Sequence, residues 1–304
     1  MTLKRWLAVG DLTVAAAFWG FGFIATVWAL RVLNAFEITL LRFLLAGAVG
    51  LPFLFLRASL RDLASNFKLS LWPAVFLWAT LVFQTWGLNY TTATKSGFIT
   101  TLYVVMVPIL DSVFSRRRIS WRLWSFIVLA FLGTGFILNA GLSALNIGDI
   151  LTLVCAVFAA AQIYWVGVIS PRIRTPFAFN ISQCLWCILL AAPFCLIPDG
   201  GQGFWLKLEG AGQWPIEAWA GLISLGLGST VIAFFLQIRG QAGVSPTVGS
   251  MLCLLESPFA MLFAFVALAH IPDGWELTGA FLIFLAAIGA SLNDAPRAKA
   301  EQVT

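Results

Sequence analysis

Ten apolar stretches, each long enough to cross a bilayer, divide this chain, and almost no charge interrupts them. They run roughly over residues 8–30, 34–56, 70–92, 95–115, 120–140, 147–169, 176–197, 217–238, 242–269 and 275–293. A spanning helix takes about 20 predominantly apolar residues, so ten of them with short connections use most of the 304. Backbone in hydrocarbon must satisfy its own hydrogen bonds, which leaves helices or a closed barrel. The alternating pattern of a barrel strand is absent. The expected fold is an all-α integral membrane protein of ten transmembrane helices. Only 10% of the residues are charged and 61% are hydrophobic, too few ions to cover the surface of a soluble domain. That excludes an ordinary cytosolic enzyme, a disordered chain and a nucleic-acid binder.

The few basic residues supply the orientation. Fourteen of the 18 Lys and Arg residues fall in the N-terminus, alternate connections and the C-terminus, with clusters at Arg57, Arg61 and Lys68 and at Arg116, Arg117, Arg118 and Arg122. By the positive-inside rule both termini face the cytoplasm. Acidic residues (Glu37, Asp149, Asp199, Glu209, Glu217, Asp273 and Glu276) lean to the other side. The five cysteines all sit in apolar runs. Cys184 and Cys187 have a C-x-x-C spacing but no second pair or histidine cluster, so they read as buried thiols and no metal site is expected.

The chain also repeats itself weakly. A shift of 150 aligns Gly97–Pro108 with Thr247–Pro258, and other shifts align Gly10-Asp11-Leu12 with Gly148-Asp149-Ile150, Trp121 with Trp275, Gly135 with Gly289 and Asn139 with Asn293. Residues 1–146 and 147–304 thus read as two five-helix units. Five is odd, so the second enters the membrane from the opposite face. Inverted repeats of this kind are typical of secondary transporters, in which exchanging the conformations of the halves alternates access to a midplane site.

Several short motifs fall in order along the chain: Ala17-Phe18-Trp19-Gly20, Arg42-Phe43, Ser96 to Pro108 (SGFITTLYVVMVP), Leu254-Leu255-Glu256-Ser257-Pro258, and Trp275 to Gly279 followed by Leu282-Ile283. With these the sequence resembles the EamA family of the drug/metabolite transporter superfamily over essentially its whole length, and within that family the bacterial aromatic amino acid exporters. Family members often carry a glutamate where Arg117 and His270 stand here, at the ends of segments four and nine. The resemblance implies a ten-helix inner-membrane protein that exports amino acids and related metabolites. It also implies a central cavity lined by segments one, three, four, six, eight and nine.

Trp19, Trp78, Tyr103 and Trp165 lie deep on four of the implied cavity segments, and Gln84, Gln162 and Gln237 add uncharged donors and acceptors. Aromatic faces bind aromatic or cationic groups, and amides orient a zwitterion without burying a fixed charge. These seven are the candidate substrate-binding residues. Glu256, near the middle of segment nine, has two readings: proton or substrate coupling, since intramembrane carboxylates are functional by default, or a hydrogen-bonded structural glutamate beside Pro258. Pro108 and Pro258 are the expected helix kinks.

Arg42 reads as reaching the outer headgroups or pairing with Glu37 or another helix, with contact to a substrate carboxylate as the other reading. Lys95 reads as a snorkelling interface lysine or a guide for anions, Asp111 as an ion-pair partner of the inner basic cluster, and His270, the single histidine, as an interfacial residue.

No phosphate-binding G-x-x-x-x-G-K-[ST] loop occurs, so transport is secondary or facilitative, and no nucleotide-hydrolysing subunit or cofactor is implied. The expected partners are small amino acid or metabolite substrates and membrane lipids, with no nucleic acid. A carrier of nucleotide-sugars or lipid-linked intermediates would need several deep cations for phosphates. An intramembrane enzyme would need clustered catalytic groups.

Overall fold

The computed structural model describes residues 3–54, 57–91, 93–116, 119–138, 146–197, 202–268 and 271–294. Arg117, Arg118, Asn139, Asp199, His270, Arg297 and Lys299 lie outside them. All regular structure among the described residues is helical.

Helices α1 (Leu3–Ala29) and α2 (Ala35–Leu54) cover the first two apolar stretches. Helix α3 (Arg57–Leu69) follows where the sequence reads as a connection. A 70° bend separates it from α4 (Leu71–Gly87). The fourth stretch splits into α5 (Ala93–Thr100) and α6 (Tyr103–Phe114), and α7 (Trp121–Leu138) covers the fifth. Then come α8 (Ile147–Ile169), α9 (Pro176–Leu196) and the short α10 (Gln202–Glu209). The eighth stretch is a rod of α11 (Ile216–Ile223), a π-helical segment (Ser224–Ala233) and α12 (Phe234–Gln241). The ninth splits into α13 (Pro246–Cys253) and α14 (Glu256–Leu268), and α15 (Gly274–Asn293) closes the bundle. Seven of these units are long and apolar enough to cross a membrane, and the bent α3–α4 pair makes up to eight. Helices α2 and α7 are further apolar helices.

Helix α3 forms because Arg57–Leu69 contains no glycine or proline and can dock along one side of α9. Thr175 donates to Asp62 at 2.8 Å, and the Trp186 indole N–H donates to the Phe67 carbonyl at 2.8 Å. Three helices start with reciprocal caps, Asn34 with Glu37, Asn146 with Asp149, and Asp273 with Glu276. Each pair satisfies two of the amide donors a helix start leaves open. Four of the seven acids that lean to one side in the sequence, Glu37, Asp149, Asp273 and Glu276, are thus also cap residues.

Packing between helices follows a matched pattern. Helix α2 packs on α9, and α7 packs on α15. Helix α8 packs on α4 as α1 packs on the α11–α12 rod, and α8 packs on α5 and α6 as α1 packs on α13 and α14. The α7–α15 contact is close because glycines face each other: a Cβ on Gly133 would sit 2.8 Å from the Gly279 carbonyl oxygen. Small residues let helix backbones meet where apolar burial gives no net drive between helices.

The breaks depart from the two prolines. Helix α6 runs continuously through Pro108, and the break lies earlier, at Thr101–Leu102. There Thr100 and Thr101 donate to the Ser96 and Phe98 carbonyls at 2.9 and 2.7 Å, a back-bonding that bends helices. Pro258 falls in the first turn of α14, where a missing N–H leaves nothing unpaired. The break precedes it at Leu254–Leu255, and the Leu254 carbonyl is taken by Ser257 N–H at 3.1 Å.

Candidate functional site

A cavity of about 800 Å³, including its open mouth, lies among α1, α4, α5, α6, α8, the π-helical rod, α13 and α14, with Arg42 contributed by α2. Helix period selects the faces. On α4 the lining residues are Leu77, Thr80, Leu81 and Gln84, spaced i, i+3, i+4 and i+7 as one helix face requires. On α8 they are Ala159, Gln162 and Ile163.

Three polar features stand in the wall. Tyr103, first in α6, donates its hydroxyl to Glu256 Oε1, first in α14, at 3.2 Å. Both chain breaks therefore deliver a polar side chain to the same spot. Gln162 on α8 and Gln237 on α12 exchange amide hydrogen bonds at 3.3 and 3.1 Å, so each keeps one N–H and one lone pair spare.

The third feature is Arg42, 5% exposed. Its Nε donates to Thr230 Oγ1 at 2.9 Å, and Nη2 lies 3.5 Å from the Leu225 carbonyl. Both partners belong to the π-helical segment, whose wider winding leaves carbonyls for side chains to use. Trp19 donates its indole N–H to the Ser229 carbonyl at 3.2 Å, and Asn180 donates to the Thr230 and Val231 carbonyls at 3.1 and 3.0 Å. Trp19 also tilts against Phe234, centroids 5.3 Å apart, so its N–H is used by the wall while the ring lines the cavity.

The lining extends to Thr26 and Leu88, near the C-terminal ends of α1 and α4. At the opposite end, where α6, α8 and α12 finish and α13 begins, polar side chains join the helices. Ser115 and Tyr164 hydroxyls lie 3.0 Å apart, Gln241 donates to the Ile163 carbonyl at 2.9 Å, and Thr247 reaches Asp111 at 3.4 Å. Gln241 and Thr247 are fully buried.

The model of the EamA-like transporter family matches residues 8–139 and again 146–292. The chain belongs to that family. An uncharacterized transporter of Archaeoglobus fulgidus is 35% identical over 297 residues, spanning 95% of this chain and 87% of that protein. An uncharacterized transporter of Haemophilus influenzae is 26% identical over 142 residues, 45% of this chain and 78% of that protein. A solved crystal structure overlays with a TM-score of 0.73 at 19% identity, over 95% of this chain and 96% of the other. At that identity the likeness is one of fold. Family and helices together make this a multi-pass membrane transporter.

In this EamA protein the cavity brings together Trp19, Gln84, Tyr103, Gln162, Gln237 and Glu256. Trp78 and Trp165 are not part of its described lining. Trp78 follows Leu77 by one residue, 100° round α4, and its ring packs on Phe194 of α9 with centroids 5.4 Å apart. Trp165 is 39% exposed and meets Phe76 edge-on, since it lies two residues past Ile163, on the other face of α8. Gln84 stands 3.5 Å from Thr100, too far to be held firmly.

Arg42 meets another helix, as one of its readings has it, and does not pair with Glu37. Glu37 is taken by Lys207 of α10, at 2.8 Å to both carboxylate oxygens. Five residues on along α2, Arg42 points away from Glu37 and into the protein. Asp111 has no ion pair among the described residues. It is buried and meets Thr247, and its Oδ1 has no partner among the described residues. Lys95 lies in α5 with its side chain outside the described residues. Sequence reasoning missed Thr80, Thr100, Phe23 and Ser229. Thr80 shares a face of α4 with Gln84, four residues on, and that spacing is the signal that points to it.

Proposed function

We propose that this protein is a secondary transporter of small amphipathic metabolites, foremost amino acids with aromatic or other apolar side chains. Residues 1–146 and 147–304 act as inverted five-helix halves of a ten-span bundle in the bacterial inner membrane, both termini cytoplasmic. The observation that carries this reading is the cavity placed where the helices are broken. The α5–α6 break, the α13–α14 break and the π-helical segment all border it. Unwound segments facing a cavity are where membrane transporters put their sites.

The matched helix contacts support the exchange of conformations between halves. The polar contacts across the end where α6, α8 and α12 finish fit one closed gate, with the cavity open the other way. Arg42 is the lone cation in the described lining, which suits a carboxylate better than a diphosphate. Export as the direction rests on the family likeness.

Reconstitution in proteoliposomes with radiolabelled amino acids, with and without a pH gradient, tests the reading. Saturable flux of aromatic and aliphatic amino acids is expected. Response to the gradient decides whether Glu256, the one carboxylate in the described lining, couples protons. No flux of any amino acid overturns the reading.

A further inference from the structure

Two opposite charges share the cavity without meeting. Arg42 and Glu256 both line it, yet no ion pair joins them among the described residues. Arg42 is almost fully buried, and its guanidinium faces no acidic partner. Its protein contacts are a hydroxyl and a long carbonyl contact, both through Nε and Nη2, while Nη1 has no hydrogen bond among the described residues. Glu256 keeps Oε1 on the Tyr103 hydroxyl, and Oε2 has no bond among the described residues. A charge inside a membrane protein is expensive unless it is paired. Here the wall holds each charge in place with neutral partners and leaves its outward atoms free. Apolar surface from Trp19, Phe23, Leu77, Leu81 and Phe234 lies beside them.

Building on the amino acid reading above, we infer that Arg42 and the Glu256–Tyr103 pair form a two-pole site that grips a zwitterion. The Arg42 guanidinium takes the carboxylate through the N–H groups the wall leaves free, since a guanidinium fork matches a carboxylate in two-point fashion. Glu256 Oε2 takes the ammonium. The apolar wall takes the side chain. A ligand with one pole leaves the other protein charge unpaired in a confined space, and sites built this way reject such analogues strongly.

The experiment compares phenylalanine with phenethylamine, which lacks the carboxylate, and 3-phenylpropionate, which lacks the amine. Each is measured for counterflow in proteoliposomes and for its effect on the melting temperature of detergent-purified protein. Wild type is expected to prefer phenylalanine by about 10- to 100-fold over either analogue, the range of a charged hydrogen bond. Arg42→Gln collapses the preference over phenethylamine to a few-fold. Glu256→Gln collapses the preference over 3-phenylpropionate. Arg42→Lys, which keeps the charge but loses the fork, retains part of the preference and shows that the site is still folded.

Wild type moving all three compounds equally overturns the two-pole site and leaves the transport reading standing, as do variants that keep the wild-type ratios. No flux and no melting shift with phenylalanine or with any other aromatic or aliphatic amino acid overturns the amino acid reading itself, and the two-pole site with it.

Discussion

The cavity and the closed end of the bundle use similar polar side chains and handle them differently. In the cavity wall, Gln162 and Gln237 satisfy each other and keep spare groups, and Arg42 and Glu256 hold neutral partners while Nη1 and Oε2 have no hydrogen bond among the described residues. At the closed end, Gln241 and Thr247 are fully buried and bond to neighbouring helices. Glutamine at the first place can exchange its partners for a ligand or for water. At the second it joins two helices and has no such exchange open to it. Exposure does not separate the two places, since Gln162 and Gln237 are 4% and 1% exposed against 0% and 1% for Gln241 and Thr247. What differs is that the first pair lines the cavity, where a ligand or water can take up its spare groups, while a buried polar group with no cavity beside it has only its protein partners.

The largest expected effect breaks the boundary between the two regions. A Cβ on Gly20 would lie 2.8 Å from both the Glu256 carbonyl oxygen and the Ala260 nitrogen. Gly20→Leu should therefore push α1 off α14 and cost about 3 kcal/mol or more, read as a large fall in melting temperature and in yield of monodisperse protein.

Next comes the paired comparison of amides. Gln241→Leu removes the side-chain donor from the Ile163 carbonyl, which keeps its helical hydrogen bond within α8, and breaks the link between α12 and α8 at about 0.5–1.5 kcal/mol. Gln162→Leu frees Gln237 to bond water in the cavity and should cost under about 1 kcal/mol while still changing substrate affinity. Equal losses of melting temperature in the two variants would show that the cavity wall is as dry as the closed end.

Asp111→Asn removes a buried carboxylate that has one unpartnered oxygen. It should stabilise the closed end by about 1 kcal/mol and slow flux several-fold, with slower hydrogen exchange in α13. Faster flux would contradict a gate at this end. Tyr164→Phe is the mildest change. Ser115 loses one partner near the surface, for about 0.5–1 kcal/mol, and flux should rise slightly if the gate loosens.

Much of the fold could be read before the structure. The stretches at 34–56 and 275–293 match α2 and α15 to within a few residues, because hydrophobic length and terminal caps are local properties. Helix α3 was not legible as a helix. Its charges mark a membrane boundary, and only docking on α9 shows that it is ordered. The breaks were half legible. Proline flags the neighbourhood, but Thr100 and Thr101 and the first-turn position of Pro258 decide the place.

Of the candidate site, the amides and Tyr103 were found from their depth in apolar runs. Depth also points to Trp78 and Trp165, which lie off the described lining. A helix that is apolar all round offers no stripe to say which face looks inward. For Arg42 the sequence offers a partner on another helix without saying which, and the contact is 188 positions away in sequence.

Composition and spacing by themselves determined that this chain spans a membrane and where most of its long helices fall, since in lipid each helix satisfies its own backbone and announces itself by length. Only the tertiary structure decided which side chains share a cavity. Helix rotation, the π-helical winding beside Arg42 and the meeting of Tyr103 with Glu256 depend on partners far along the chain, and no local pattern encodes them.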